Sequence, residues 1–402
     1  MAMQLSDLQA AIQRLGLRWQ AGVTANSDDS DIRAQSRVGA VPPAGESLAD
    51  REEQARAALG AATATAATVP SAWDWRDVNG ADYVTAIEDQ GGCGSCVAFG
   101  TTATFEAQVQ IALAEPDLGV DLSEAHLWFC YGSAHGAGAC PGGGWWPDDS
   151  FPGLIPGIVP ASCFPYTDQN QPCNLCANWS SQLTQISSWQ TLNTQAAMKA
   201  FISGTGPMTA CFTVYEDFYY YYTGGIYQYN AQTSGSVIGG HCVSIVGYND
   251  AEQYWIAKNS WGSGWGENGY FQIEYGNCGI DAEMWGINGA VTSAVWPPRM
   301  SVAVEQLAGA SGELAMQVTV TDAVHGTAIQ GATVTVFHSG EASATGTTGP
   351  AGTVTLDYPG CIETIVIQTP KPHSITIPVP CSGVVTKSGY ASAGFSTPRP
   401  EI

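Results

Sequence analysis

The sequence predicts an α+β fold that carries a small all-β sandwich domain at its C-terminal end. Residues 97–114 are small or apolar and have the length of a buried helix, which Pro116 closes. Four later segments alternate or run apolar in the manner of strands, namely 207–214, 241–248, 253–258 and 269–275. Because the helix comes first and the strands follow, separate helical and sheet regions are expected. After Trp296 the pattern changes to short strands between turns that contain glycine or proline.

The C-terminal region is predicted to form the β-sandwich. Its alternating segments are 315–321, 332–338, 352–358, 364–368 and 374–379. Cys361 and Cys381 are the only cysteines in this region, and we expect them to pair. The strings 331–336 and 349–356 resemble carboxypeptidase-regulatory-like and other Ig-like bacterial modules. That resemblance implies a fold rather than a function.

The first 68 residues differ in composition from the rest of the chain. One helix is expected after a Ser6 cap, ending at Gly16, and a second at 48–59. Residues 61–68 form a run of alanine and threonine that is typical of a linker. The segment has no cysteine and no core of its own, so it must pack on another part of the chain. These changes predict three parts, at 1–68, 69–298 and 299–402.

Composition and charge argue against several classes of protein. The 402 residues include 36 acidic and 13 basic side chains, which gives a formal net charge of -23. A nucleic-acid binder is not expected, because phosphate contacts need clustered lysine and arginine. No apolar run has membrane-spanning length, and no signal peptide is visible at the start. Twelve cysteines favour an oxidising compartment, which predicts a secreted or extracytoplasmic protein.

Cys96 is the first candidate for covalent chemistry. Glycine-rich chain from Gly91 leads through Cys93 into the predicted helix, so a thiolate at Cys96 would lie at the positive end of the helix dipole. Redox pairs and zinc sites use the same Cys-x-x-Cys spacing, and Cys173 and Cys176 form a second such pair. The two pairs begin 80 residues apart, much farther than in compact zinc modules, so no metal site is predicted.

A nucleophilic cysteine needs a base and a group that orients the base. His241 follows two glycines and opens a predicted strand, while Asn259 comes at the end of another strand. Taken singly, His241 also fits a hydrogen-bonded core histidine, and Asn259 also fits a turn residue. The choice between these interpretations depends on the strings around them.

Six short strings between residues 70 and 290 belong together. They are Trp73-Asp74-Trp75-Arg76, Gln90-Gly91-Gly92-Cys93-Gly94-Ser95-Cys96, Leu122-Ser123-Glu124, Cys140-Pro141-Gly142-Gly143, Asn259-Ser260-Trp261-Gly262 and Gly264-Trp265-Gly266-Glu267. In this order they resemble the papain family of cysteine peptidases. His241 and Asn259 follow Cys96 by 145 and 163 residues, near the family's separation of roughly 130–150. Val97 stands where the family signature has an aromatic residue.

The resemblance implies a two-lobed peptidase domain, one lobe helical and the other a β-barrel, with four catalytic residues. Cys96 would attack the peptide carbonyl as a thiolate, and His241 would protonate the leaving amine. Asn259 would hold the imidazole through its side-chain oxygen, beneath Trp261. Gln90 would supply one oxyanion donor, and the Cys96 N–H the other.

A substrate site is implied by the same resemblance. Its residues would be Gly94, Gly142, Gly143, Trp145, Gly240, Trp261 and Glu283. Gly143 would offer backbone hydrogen bonds to an extended peptide. Glu283 would close the pocket for the second residue before the scissile bond, which favours a basic or apolar residue there, with arginine able to pair with the carboxylate. The alternative is that Glu283 is an exposed surface charge.

Disulfides are also implied by resemblance. Cys93 would pair with Cys140, Cys130 with Cys173 or Cys176, and Cys163 with whichever of those two remains. Two of Cys211, Cys242 and Cys278 are expected to pair, and the sequence does not say which.

The sequence therefore predicts a cysteine endopeptidase made as a zymogen, acting on peptides or proteins without metal or cofactor. Residues 1–68 have the position of an inhibitory propeptide, and no occluding insertion typical of exopeptidases is visible. Two alternatives remain at this point. The chain could be a binding protein on an inactive peptidase scaffold, although the intact catalytic residues argue against this. It could also be a peptide ligase, in which an amine resolves the acyl-enzyme.

Overall fold

The computed structural model describes residues 4–61, 69–116, 118–294, 300–308, 314–322, 327–338, 341–358, 362–367, 373–378, 382–386 and 393–396. The described residues up to 294 belong to one compact unit, apart from 118–119, and those from 300 onward belong to a second. No helix in the described part of the chain is both long enough and apolar enough to cross a membrane.

The N-terminal segment contains more regular structure than the sequence predicts. Its elements are α1 (Leu5–Leu15), β1 (Trp19–Ala21), α2 (Asp31–Ser36) and α3 (Leu48–Ala61). The predicted Ser6 cap is wrong, because α1 already begins at Leu5 and Gln4 is the capping position. Gly16 does end α1, in the left-handed conformation with φ 67°, which glycine adopts without steric cost. The short α2 and β1 were not predicted. Of the linker predicted at 61–68, Ala61 is the last residue of α3, and 62–68 lie outside the described residues.

The first half of the main unit is helical around one buried helix. The regular elements are β2 (Ala72–Asp74), α4 (Cys96–Leu113), a π-helix (His126–Gly132), α5 (Pro147–Ser150) and two 3₁₀ turns (Phe151–Leu154 and Trp179–Ser181). Fourteen of the 18 residues of α4 are buried. A helix that is apolar or small all round belongs in a core, which is why this segment could be identified from composition.

The second half of the unit is built on a sheet. Its elements are β3 (Thr184–Leu192), α6 (Gln195–Gly204), β4 (Met208–Tyr215), α7 (Glu216–Tyr221), β5 (Tyr222–Tyr227), β6 (Val237–Asn249), β7 (Tyr254–Lys258), β8 (Tyr270–Glu274) and β9 (Met284–Thr292). The strand order is β1-β5-β8-β7-β6-β4-β9-β3, with β2 also paired to β6. The N-terminal segment therefore adds β1 to the edge of this sheet, antiparallel to β5.

Two register positions in this sheet matter for chemistry. The long strand β6 pairs with β4 so that His241 lies opposite Phe212, and Cys242 lies opposite Cys211. On its other edge β6 pairs with β7, whose last residue is Lys258, so Asn259 follows at the end of the neighbouring strand. Antiparallel pairing thus brings two residues 18 positions apart to the same end of the sheet.

The second unit is all-β in its described residues. Its strands are β10 (Met300–Ala308), β11 (Leu314–Asp322), β12 (Thr333–His338), β13 (Glu341–Thr347), β14 (Thr353–Tyr358), β15 (Ile362–Ile367), β16 (His373–Pro378), β17 (Ser382–Thr386) and β18 (Ala393–Ser396). Its buried core includes Val318, Val320, Val334, Val336 and Leu356. The expected pairing of Cys361 with Cys381 falls outside the described residues.

Candidate active site

Cys96 is the first residue of α4 and is fully buried. The group that covers it comes from the N-terminal segment, because the Gly39 N–H donates to Cys96 Sγ at 3.2 Å. A β-carbon on Gly39 would lie 2.5 Å from the carbonyl carbon of Gly94, so only glycine allows this approach. The sulfur therefore faces an amide N–H of the chain's own segment.

His241 and Asn259 meet at the end of the sheet. His241 Nε2 lies 2.7 Å from Asn259 Oδ1, and both residues are buried. The Trp261 ring covers the imidazole with a centroid separation of 4.5 Å. The other ring nitrogen, Nδ1, has no hydrogen-bond partner among the described residues. One nitrogen is thus held in a fixed orientation, while the other is available to exchange a proton.

Gln90 is held by a residue that the sequence analysis did not single out. Ser260 Oγ donates to Gln90 Oε1 at 2.7 Å, so the amide nitrogen is turned in the opposite direction. That nitrogen donates to the carbonyl oxygens of Arg37, at 3.0 Å, and Cys93, at 2.8 Å. A donor suited to stabilise an oxyanion is therefore occupied by a carbonyl of the N-terminal segment. Ser260 lies in the Asn-Ser-Trp-Gly string, which was the only sequence signal for it.

The N-terminal segment crosses the site as an extended chain with strand-like pairing. Ala40 N–H donates to the Gly240 carbonyl at 2.9 Å, and Val41 N–H to the Trp145 carbonyl at 3.1 Å. Trp145 N–H returns a bond of 3.2 Å to the Gly39 carbonyl, and the bridge formed with Ala40 is parallel. The segment is thus bonded to the walls on both sides of the cleft, in the manner of an added strand.

Burial changes the protonation of both reactive groups. It raises the pKa of the Cys96 thiol to about 11, although four backbone N–H groups act in the opposite direction. It lowers the pKa of His241 to about 3, against the hydrogen bond that the ring donates to Asn259 Oδ1. Desolvation penalises the charged form of each group, and it outweighs the effect of the helix N-terminus on Cys96. In this closed arrangement both groups are neutral near pH 7.

The predicted Glu283 pocket contains an arginine of the N-terminal segment. Arg51 pairs with Glu283 and with Glu46, and its guanidinium carbon lies 4.9 Å from the centroid of the Trp146 ring. Arg51 is only 9% exposed, so the pair is largely shielded from solvent. Glu283 is therefore not an unpaired surface charge in this structure.

Trp145 takes part in the cleft through its backbone, whereas its ring packs on other aromatic rings. Its ring packs on Trp128 and Tyr131, with centroids 5.6 and 6.2 Å away. Successive side chains of an extended segment point to opposite faces, so the neighbouring Trp146 faces Arg51 while Trp145 contributes its backbone. The sequence has two adjacent tryptophans, and only the register of the segment tells them apart.

The predicted glycines lie along the cleft. A β-carbon on Gly240 would lie 3.1 Å from Leu48 Cδ2, and one on Gly94 would lie 3.2 Å from the Gly142 carbonyl oxygen. Gly143 has φ 84°, a conformation typical of a turn rather than of a paired strand, and a β-carbon there would meet Trp128. In the closed chain Trp145 makes the backbone bonds to the N-terminal segment, and the bonds expected between Gly143 and a substrate stay a prediction.

The cysteines are arranged in four disulfides among the described residues. The pairs are Cys93–Cys140, Cys130–Cys173, Cys163–Cys176 and Cys211–Cys242. The described free thiols are Cys96 and Cys278, both buried. Cys93, Cys173 and Cys176 each pair with a cysteine outside their own Cys-x-x-Cys string, and Cys96 is the nucleophile candidate. Neither string therefore has two free thiolates that could bind zinc.

A free buried thiol at a helix N-terminus, a histidine oriented by asparagine and a chain segment lying across both define a cysteine peptidase in its closed form. The sequence profile of the papain family cysteine proteases matches residues 69–287. The chain belongs to this family.

Individual relatives agree with this membership. Cathepsin B-like CP3 of Giardia intestinalis is 34% identical over 303 residues, which are 71% of this chain and 94% of that protein. Thiol protease aleurain of Arabidopsis thaliana is 31% identical over 281 residues, 68% of this chain and 73% of that protein.

A solved zymogen has the same fold. The digestive procathepsin L2 proteinase from the larval midgut of Tenebrio molitor aligns with a TM-score of 0.55 and 28% identity, over 70% of this chain and 88% of that chain. The predicted papain-like α+β fold is confirmed, and so is the predicted function. The protein is a cysteine endopeptidase made as a zymogen, with its own propeptide as inhibitor.

Proposed function

We propose that Cys96 and His241 are the catalytic pair of this peptidase, with Asn259 and Gln90 as their supporting residues. The observation that carries the proposal is the hydrogen bond of 2.7 Å between His241 Nε2 and Asn259 Oδ1, with the free Cys96 thiol next to the N–H of Cys242, the residue after His241. It leaves Nδ1 as the nitrogen that exchanges a proton with the thiol.

The reaction follows from these positions. Once the cleft opens, water reaches both groups and the Cys96 proton moves to His241. The thiolate attacks the peptide carbonyl carbon, and the Gln90 amide donates to the oxyanion. The C–N bond breaks as the imidazolium gives its proton to the amine. Water then attacks the thioester, its proton passing to His241, and the acid leaves as the thiol re-forms.

Substitutions test this assignment. Cys96→Ala is expected to abolish hydrolysis of a fluorogenic dipeptide, and His241→Ala to be about as damaging because the two groups act as a unit. Circular dichroism and thermal melting of the same variants separate catalytic loss from misfolding. Activity of Cys96→Ala within about tenfold of the parent would contradict the proposal.

The Glu283 pocket is proposed to select arginine at the second residue before the scissile bond. Arg51 supports this, because it already shows a guanidinium paired with Glu283 and stacked on Trp146. Both partners are mostly shielded, so the pair gains more than an exposed ion pair would.

A pair of peptides tests the pocket. Glu283→Gln is expected to lower kcat/KM for an arginine peptide by about 10–150-fold, the effect of about 1.5–3 kcal/mol for a hydrogen bond to a charged group. The matched phenylalanine peptide should change little, because an apolar side chain makes no use of the carboxylate. Equal losses on both peptides would exclude a selective role for Glu283.

Maturation and domain organisation complete the proposal. Residues 1–68 are the propeptide, 69–298 the peptidase domain and 299–402 an Ig-like or carboxypeptidase-regulatory-like β domain of a bacterial-type zymogen. We place the cleavage between Ala62 and Ser71, after α3 and before β2. Four described disulfides support secretion or another extracytoplasmic location.

Acid incubation followed by N-terminal sequencing tests the boundary. The expected active species begins between Ala62 and Ser71, and the Cys96→Ala chain stays intact. An active species in which α1 to α3 are still covalently attached would contradict the proposal that the propeptide must be removed for activity.

A further inference from the structure

Asp89 is an acidic residue beside the catalytic machinery to which no role has yet been given. It immediately precedes Gln90, and its backbone forms an antiparallel bridge with Trp261. A β-carbon placed on Gly262 would lie 3.3 Å from Asp89 Oδ2. The carboxylate is thus next to the oxyanion donor and the tryptophan that covers the catalytic histidine. Its side chain is 51% exposed even in the closed chain, so it stays open to solvent and ligands.

The propeptide supplies an arginine to this carboxylate. Arg37 donates from its guanidinium to Asp89 Oδ1 and is itself only 3% exposed. Within the propeptide, the same guanidinium lies 3.1 Å from Asn26 Oδ1 and 3.8 Å from Asp29 Oδ2. Arg37 is therefore held in place by the propeptide and offered to Asp89 across the interface.

The order of contacts along the propeptide places Asp89 relative to the nucleophile. Arg37 meets Asp89, Gly39 meets Cys96 two residues later, and the chain then reaches the wall and pocket that contain Glu283. Arg37 ends α2, and only the chain from Gly39 to Val41 is paired with the cleft walls, so from this order of contacts we place Asp89 and Glu283 on opposite sides of the sulfur. Glu283 is proposed to serve residues before the scissile bond, so Asp89 serves residues after it.

We infer that Asp89 is a specificity-determining residue that selects arginine at one of the first two positions after the scissile bond. The inference rests on the proposed peptidase function. A guanidinium suits this site because it forms fork-like hydrogen bonds with a carboxylate, as Arg37 shows by donating to Asp89 Oδ1. With Glu283 on the other side, the cleft prefers peptides that carry arginine on both sides of the cleaved bond.

A local structural role for Asp89 is the competing explanation. Its Oδ1 accepts the Gly91 N–H at 2.9 Å and so supports the loop that leads to Cys93. Asp89→Asn separates the two roles, because asparagine keeps an acceptor for Gly91 while it removes the charge that attracts arginine.

The experiment uses the full chain after acid maturation and quenched fluorescent peptides in matched pairs. Each pair carries arginine or its neutral isostere citrulline at the first or the second position after the bond, with phenylalanine in the Glu283 pocket. At one of these positions we expect kcat/KM to favour arginine about fivefold, as for a half-exposed ion pair. In Asp89→Asn that ratio should fall to about one. Asp77→Asn is the matched control, since Asp77 also accepts a turn amide, that of Gly80, and takes no part in the contacts of the cleft.

Three results would overturn the inference. The first is a parent enzyme without arginine preference at either position, and the second is a preference that survives in Asp89→Asn. The third is an equal loss on both peptides of a pair, which assigns Asp89 to the loop. Glu283→Gln must leave the Asp89-dependent ratio intact, because the two sites are separate. A matured chain that cleaves no peptide overturns the proposed function, and the inference falls with it.

Discussion

Replacing Gly39 with alanine is expected to give a zymogen whose cleft opens more often, because Gly39 packs against Gly94 in the loop that leads to Cys96. The added β-carbon would lie 2.5 Å from the Gly94 carbonyl carbon and 2.8 Å from its Cα. Both are backbone atoms beside Cys96, so they cannot rotate away as a flexible side chain does. The propeptide must therefore lift from the cleft at this point.

The size of the effect follows from the bonds around Gly39. Lifting the chain breaks the Gly39 N–H bond to Cys96 Sγ, the Trp145 N–H bond to the Gly39 carbonyl and the Ala40 N–H bond to the Gly240 carbonyl. At about 1 kcal/mol net for each, the closed state loses about 3 kcal/mol. The open fraction of the zymogen then rises roughly 150-fold.

The assay is the rate at which iodoacetamide alkylates Cys96 in the unprocessed chain, measured by peptide mass spectrometry before maturation begins. Alkylation requires an open cleft, so the rate reports the open fraction. Gly22→Ala is the control, because its β-carbon would meet only the side chain of Thr223, at 3.0 Å. A Gly39→Ala rate within about threefold of the parent would refute the reasoning, as would an equal increase in the control.

Three further predictions concern protonation and orientation. Burial lowers the pKa of His241 to about 3 in the closed chain, against about 6.5 for an exposed histidine, so the closed state loses stability as pH falls through that window. As the pH is lowered, an added protease should therefore cleave the propeptide of the Cys96→Ala chain faster, by at most about tenfold per pH unit. If the pH dependence of this cleavage rate is unchanged when His241 is also replaced, the prediction is contradicted. Burial and the charge of Glu106 raise the pKa of Glu124, so folding stability falls as pH rises above about 4.3. In thermal melts Glu124→Gln should stabilise the chain more at about pH 8 than at about pH 5, and an equal effect at both would contradict this. Asn259→Ala should lower kcat by about 10–150-fold, because one hydrogen bond to a charged group is lost. This loss should be smaller than that of His241→Ala. An equal loss of kcat in the two variants, measured by steady-state kinetics, would contradict this.

Elements with a strong local signal could be predicted from the sequence. The buried helix α4 could be found because small and apolar residues surround its axis, and β6 because its apolar run is long. The six-residue α2 is too short for periodicity, although Ser30 caps it. The three-residue β1 exists because it pairs with β5, some 200 residues later, which no local pattern encodes.

The residues of the candidate site also differ in whether a local sequence signal identifies them. Gln90, Cys96 and Asn259 lie in contiguous strings, so their types and order suffice to nominate them. The pairing of Arg51 with Glu283 spans 232 residues and depends on how the propeptide docks. The sequence also suggests a reactive thiolate at Cys96, whereas burial under the propeptide makes the thiol neutral. Desolvation is a property of the packed chain and has no local signature.

The assignment of the nucleophile is the central claim, and covalent labelling of the matured chain tests it most directly. An epoxide thiol inhibitor should bind once per chain, on Cys96, and peptidase activity should fall in proportion to the labelled fraction. Cys278 is the other described free thiol and lies near Glu52 and Arg56 of α3, so the label on each of the two thiols is counted separately. Full activity in a chain whose Cys96 is labelled, or inactivation that tracks label on Cys278, would contradict the account.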